Sequence, residues 1–389
     1  MPPRLHEAAR HSTINFMIIS GFSGNELYCL AQKGWTPGNL VVGNSVQSLG
    51  MLGGLTSGLK SLAGGEIGQM TSLIVDGRHA ALQRLEDEAR DHGAHGVTGV
   101  SSELRKLSNL QEFIAIGSSV MHANQPAGSF FTTACSGQDL YCQMDAGYQP
   151  RHFVMGNVVY ALGVARGIGG MFKGLAGGEV TQFSNMYNKL RHLALERLEA
   201  EALERGANAV VDIHTKIIPV SPGVSEMMMV GTASHNPALG KPQRPITSEL
   251  TGEELWNLTR LGYQPMRLLL GTSVYSLGMA RGIGSFFRSF TRGEIKSVTD
   301  LIYAARANCL SHINAEAEEI GADAVVGVKV FIYEIGGSFV EVMAIGTAVK
   351  KVAGLTTATE NLIPQAVIRD RDTFFDETHG LSQRQLERG

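Results

Sequence analysis

Cys309 and His312 stand one helical turn apart, a spacing at which a thiolate and an imidazole can face one metal ion. A structural zinc commonly takes four such ligands, and no Cys-x-x-Cys supplies the others. The competing reading is a buried cysteine on an apolar helix face beside a surface histidine. Cys29 and Cys142 occupy equivalent positions in an internal repeat, but the third equivalent is Asn257, which excludes a thiolate site made three times over. His92 and His95 are separated by the helix-breaking Gly93. No cofactor and no structural metal are expected.

Three basic residues, Lys60, Lys173 and Arg288, each precede by six positions an acid, Glu66, Glu179 and Glu294. They could pair at an interface, or the cations could ring an axial opening and attract an anion or an acidic segment. Nucleophilic catalysis needs a nucleophile, a base and an orienting group, and no such Ser, Cys or His set recurs. Arg78, Arg191 and Arg306, like Glu88, Glu201 and Glu316, are equivalent helix charges that read as a solvated or interface face. Gly167-Ile-Gly169 and Gly282-Ile-Gly284 complete no phosphate-binding motif. Catalytic residues are therefore not expected, and the protein reads as non-enzymatic.

The elements that must position these residues occur three times. Glu66, Glu179 and Glu294 are 113 and 115 residues apart, and 17 of 39 positions are identical between Tyr141–Glu179 and Trp256–Glu294. That period is far longer than a solenoid unit and matches a domain. The expected domains are 12–121, 127–236 and 246–351, joined by short Pro- and Gly-punctuated segments, with a C-terminal tail over 352–389 that is mobile or docked through Phe374-Phe375. In each copy a short helix (Asn25 to Lys33, Gln138 to Ala146, Glu253 to Leu261) stops at a glycine. A short apolar strand follows (Leu40-Val-Val, Phe153-Val-Met, Leu268-Leu-Leu), then a glycine-rich stretch and a long helix. Ile295, Val298, Ile302, Ala305, Cys309, Ile313, Ala317 and Ile320 recur every three or four residues, marking one buried helix face. Gly321 suits a left-handed cap, and two antiparallel strands follow around Gly336-Gly337. The expected fold class is α+β: three tandem domains, each an antiparallel sheet packed on one long helix.

Glu316-Ala-Glu-Glu-Ile-Gly-Ala-Asp-Ala-Val-Val-Gly-Val, followed by Ala344-Ile-Gly-Thr-Ala-Val, resembles the YbjQ-like family, often labelled heavy-metal-binding, with a dodecin-like subunit fold. Gly252-Glu-Glu-Leu-Trp and Gly262-Tyr-Gln-Pro resemble its multi-repeat bacterial branch, and all three copies fit over about residues 12 to 350. The first copy departs most, with Gly93-Ala-His-Gly-Val-Thr-Gly, and Ser118 where Thr232 and Thr347 stand. The resemblance implies ring assembly, since single-domain members form homopentamers, and it implies no established reaction.

A net charge of −3 and a pI near 6.5 leave no basic field for nucleic acid. Gly34 to Leu59 carries no charge and has the length of a membrane span, yet it is rich in glycine and its counterparts hold Arg151, Arg166, Lys173, Arg267, Arg281 and Arg288. Close backbone approach explains those glycines better than lipid does. A cytoplasmic setting is expected, without membrane attachment. The expected function is a ring-forming binding or scaffold protein, a homo-oligomer whose protein partner is unknown. The alternatives are a metal or small-ligand binder with sites between subunits, and a peripheral membrane or pore-associated assembly. The expected assembly is a pentamer whose five chains stack three coaxial rings, one per repeat, because five positions cannot be filled by whole three-domain chains; the competing assembly is one ring with positions divisible by three.

Overall fold

The computed structural model describes residues 17–48, 65–107, 110–126, 128–161, 178–221, 223–276, 296–335 and 339–362. The first repeat contributes α1 (Gly24–Gln32), β1 (Trp35–Ser48), β2 (Gly65–Glu66), α2 (Gly68–Asp91), β3 (Gly96–Leu107) and β4 (Leu110–His122). The second gives β5 (Phe131–Thr132), α3 (Gly137–Asp145), β6 (Gln149–Ala161), β7 (Gly178–Glu179), α4 (Thr181–Glu204), β8 (Ala209–Ser221) and β9 (Val224–His235). The third gives β10 (Ile246–Thr247), α5 (Gly252–Arg260), β11 (Tyr263–Ser276), α6 (Lys296–Glu319), β12 (Ala324–Glu334) and β13 (Phe339–Lys351). The expected α+β plan holds, with sheet and long helix repeated three times.

The short helices begin at Ser23, Ser136 and Thr251, whose hydroxyls accept from the third helical N–H and so satisfy a donor the helix cannot. Each first long strand runs well past the short apolar run that the sequence suggests, reaching Ser48, Ala161 and Ser276. Polar and glycine positions continue it because the long helix crosses there. A Cβ on Gly43, Gly156 or Gly271 would collide with the helix backbone at Ala81, Ala194 or Cys309.

Each sheet is an antiparallel trio, β1-β4-β3, β6-β9-β8 and β11-β13-β12. Two-residue strands from neighbouring repeats extend it. β5 pairs parallel with β3 and β10 with β8, carrying the next repeat's entry onto the previous sheet, while β2 pairs with β6 and β7 with β11 in the opposite sense. The described residues as far as Ala358 accordingly form one compact body.

The layers alternate. α2 packs on its own Val41, Phe113 and Ala115 and also on Phe153, Met155, Val159, Met228 and Val230 of the second sheet. α4 likewise lies between Val154, Val158 and Met229 of its own sheet and Leu268, Leu270, Met343 and Ile345 of the third. Strand β6 is thus buried on both sides from Phe153 to Ala161, losing the alternation of a half-exposed strand. At the ends the alternation returns: β1 buries Val41, Gly43 and Ser45 but exposes Leu40, Val42 and Val46, and α6 buries only the stripe Ala305, Cys309, Ile313 and Ala317.

Candidate functional site

The most developed polar chemistry among the described residues lies between repeats. At the first junction Arg78 of α2 makes a bidentate pair with Glu226 of β9, Nε to Oε1 at 3.1 Å and Nη2 to Oε2 at 2.7 Å, and donates to Ser102 Oγ at 2.9 Å. Asn157 also donates to Glu226. At the second, Arg191 of α4 holds Glu341 of β13 at 2.7 and 2.8 Å and contacts the Tyr160 hydroxyl and the Tyr160 and Tyr187 rings. Both pairs have side chains with 0% exposure. Burial, the largest single influence, would loosen the Arg191 proton, but the Glu341 charge, Tyr160 and the hydrogen bonds to both together outweigh it and raise the guanidinium further above its ordinary range. A buried pair of this geometry fixes register, since either charge alone would be stranded.

Smaller contacts repeat around each pair. Val159 N donates to Thr71 Oγ1 at 3.0 Å, and Val274 N to Ser184 Oγ at 2.8 Å. His79 faces Glu201 at 3.5 Å and His192 faces Glu316 at 3.8 Å; hydrogen bonding to those carboxylates raises both imidazoles. These groups join one repeat to the next.

A second cluster belongs to the middle repeat. Asp212 has φ 54°, the left-handed position that Gly99 (62°) and Gly327 (66°) occupy at the equivalent bulge of the other sheets. Its carboxylate lies 3.0 Å from His214 Nε2, and this bond raises the imidazole. Burial, with Asp212 as the next cause, pushes Asp139 up to about 6, although Ser136 Oγ donates to it at 2.7 Å. Asp139 therefore changes charge near pH 6. Its sequence signal is Asp212 in register with two glycines, which reasoning from the repeat motifs passed over.

Of the charged candidates, Lys60, Lys173, Arg288 and Glu294 lie outside the described residues, as do the Gly336-Gly337 turn and Phe374-Phe375. Glu66 accepts from Thr71 at 3.0 Å and pairs with Arg197 at 2.7 Å. Glu179 accepts from Ser184 and Ser273 at 3.0 Å and from Asn308 at 2.9 Å. Both acids therefore sit at the edges of the junctions.

Cys309 and His312 are not brought together. Cys309 is buried against sheet three, donates to the Val342 carbonyl at 3.0 Å and has its thiol pushed up to about 12 by burial, while His312 is exposed. All four cysteines are buried, and burial raises the Cys135 thiol as well. Among the described residues no three His, Cys, Asp or Glu side chains converge as metal ligands. These residues do not fit a heavy-metal centre, which needs thiolates or imidazoles free to ligate. A cleft of about 440 Å³ lies where repeats one and two meet, lined by Trp35, His95, Phe130, Met144 and Arg151 among others. Trp35 Nε1 is buried there with no acceptor among the described residues.

No helix among the described residues is long and apolar enough to cross a membrane. The sequence family described as "Putative heavy-metal-binding" (YbjQ) matches residues 37–123, 148–236 and 263–352. An encapsulin nanocompartment protein of Mycobacterium tuberculosis is 29% identical over 256 residues, 63% of this chain and 95% of that protein. A UPF0145 protein of Pseudothermotoga lettingae is 36% identical over 104 residues, 27% of this chain and 92% of its own length. One from Psychromonas ingrahamii is 42% identical over 80 residues, 21% of this chain and 76% of its own.

Proposed function

The chain belongs to the YbjQ family, and from that premise we propose that it is a non-enzymatic, self-associating scaffold whose three domains, near 12–121, 127–236 and 246–351, serve as prebuilt positions of a ring. One observation carries this: the best-satisfied polar groups are devoted to joining one repeat's helix to the next repeat's sheet, side by side. The relative named an encapsulin nanocompartment protein supports an assembling role. Side-by-side joining favours a single ring with positions divisible by three over five chains stacked in three layers, because stacking would use sheet-and-helix edges, not these faces.

The small-ligand alternative has one favouring observation, the Trp35 cleft, whose indole N–H meets no acceptor among the described residues. Light scattering on size-fractionated protein at micromolar concentration tests the scaffold reading. An oligomer unaffected by chelator is expected. A monomer of 41.7 kDa, or an oligomer that falls apart on chelation, sinks it.

A further inference from the structure

We infer that the exposed outer face of the first sheet and the exposed side of α6 are the two halves of a third junction, completed by a second copy of this chain. This rests on the self-association reading above and names its contacts. Three independent features, each seen twice inside the chain, are left half-made at its ends.

The first is the ion pair. Arg78 and Arg191 are buried against Glu226 and Glu341. Their counterparts in the repeat are Arg306 on α6, which is exposed, and Glu112 on β4, which is half-buried and meets only Asn44, at 3.4 Å, among the described residues. Asn44 is itself the counterpart of Asn157, which donates to Glu226. The carboxylate and its amide partner are thus in place, and the guanidinium is missing.

The second is the apolar face. Leu40, Val42 and Val46 are 42%, 45% and 48% exposed, whereas their counterparts Phe153, Met155 and Val159 are buried beneath α2. On the other side Thr71, Ile74, Arg78 and Leu82 of α2 are buried, as are Ser184, Tyr187, Arg191 and Leu195 of α4. The matching Thr299, Ile302, Arg306 and Leu310 of α6 are partly or fully exposed.

The third is the strand edge. Phe131–Thr132 and Ile246–Thr247 each pair parallel with the previous repeat's sheet, at Gly96–Val97 and Ala209–Val210. The counterpart Ile18–Ile19 is 51% and 70% exposed, and the matching edge of β12, Ala324–Val325, has no strand on it among the described residues. An apolar dipeptide and an open edge at opposite ends of one chain are what a head-to-tail contact consumes. The occupant is a second copy because both halves of every feature are written in the same sequence.

Charge exchange at the junction tests this. Glu112→Arg and Arg306→Glu are made singly and together in the full chain, and association is followed by light scattering over a concentration series, with circular dichroism checking the fold. Both residues are accessible in the single chain, so folding should be unaffected. Each single variant should weaken association at least ~100-fold, as expected when one partner of a buried pair is lost. The double variant should recover most of it. A wild-type oligomer that neither single variant weakens, or singles that the double fails to rescue, overturns the junction while leaving self-association standing. A wild-type monomer overturns both.

Discussion

Asp212 holds a left-handed backbone conformation that an L-residue reaches at a cost of about 1–2 kcal/mol, whereas Gly99 and Gly327 meet the same bulge freely. Asp212→Gly should relieve that strain, offset by about 0.4–1 kcal/mol of added unfolded-chain entropy, and should remove a charge beside Asp139. A net gain of about 1 kcal/mol in urea unfolding at neutral pH is expected; a loss would mean that the Asp212 contact with His214 outweighs the strain. Asp139 offers a direct readout. Its folded pKa is raised from 3.8 to about 6, so the native state binds the proton more tightly, and its contribution to stability falls as pH rises from about 4 to about 6. Carbon-detected NMR should place the Asp139 titration near 6, and Asp212→Gly should move it down. At this scale the repeat register made the arginine series 78, 191 and 306 legible, but not what the first two bind. Glu226 lies 148 residues from Arg78 on another repeat's strand, beyond any local pattern.

At the level of elements, the long-helix period was legible because the stripe through Ala305, Cys309, Ile313 and Ala317 repeats every four residues against one sheet. Ile313→Ala should therefore cost about 2–5 kcal/mol, toward the lower end because α6 is covered on one side only, and an unchanged melting temperature would refute the packing. The second face of α2 and α4 was less legible, since Arg78 and Arg191 read as a solvated or interface face and are buried only because another repeat's sheet covers them. For the same reason the two-residue strands at Gly65–Glu66 and Phe131–Thr132 escaped notice: their pairing comes from a neighbouring repeat, not from local propensity. The buried pair gives the sharpest element-scale prediction. Arg191→Met leaves Glu341 charged and dry, and should cost about 3–5 kcal/mol in denaturant unfolding, whereas Arg191→Met with Glu341→Leu should recover most of that. Equal losses in the single and double variants would mean that the junction depends on shape and not on the pair.

Across the whole molecule, the order sheet, helix, sheet, helix, sheet, helix is polar: one end offers a sheet face, the other a helix face. Contacts of this head-to-tail kind either close into a ring or run on as a filament, depending on the rotation each junction imposes. Both internal junctions use equivalent Arg–Glu pairs and the same strand addition, and on the proposed reading a third built alike continues one curve. A curve closes only after a whole number of chains, giving six positions from two chains or nine from three. Native mass spectrometry should then show one discrete species of about 83 or about 125 kDa, built from 41.7 kDa chains and with no ladder above it. Five chains in three coaxial layers would instead appear near 209 kDa, roughly, and would leave Arg306 and Glu112 unpaired between chains. An open series of masses growing with concentration would mean that the junction forms but its rotation does not close.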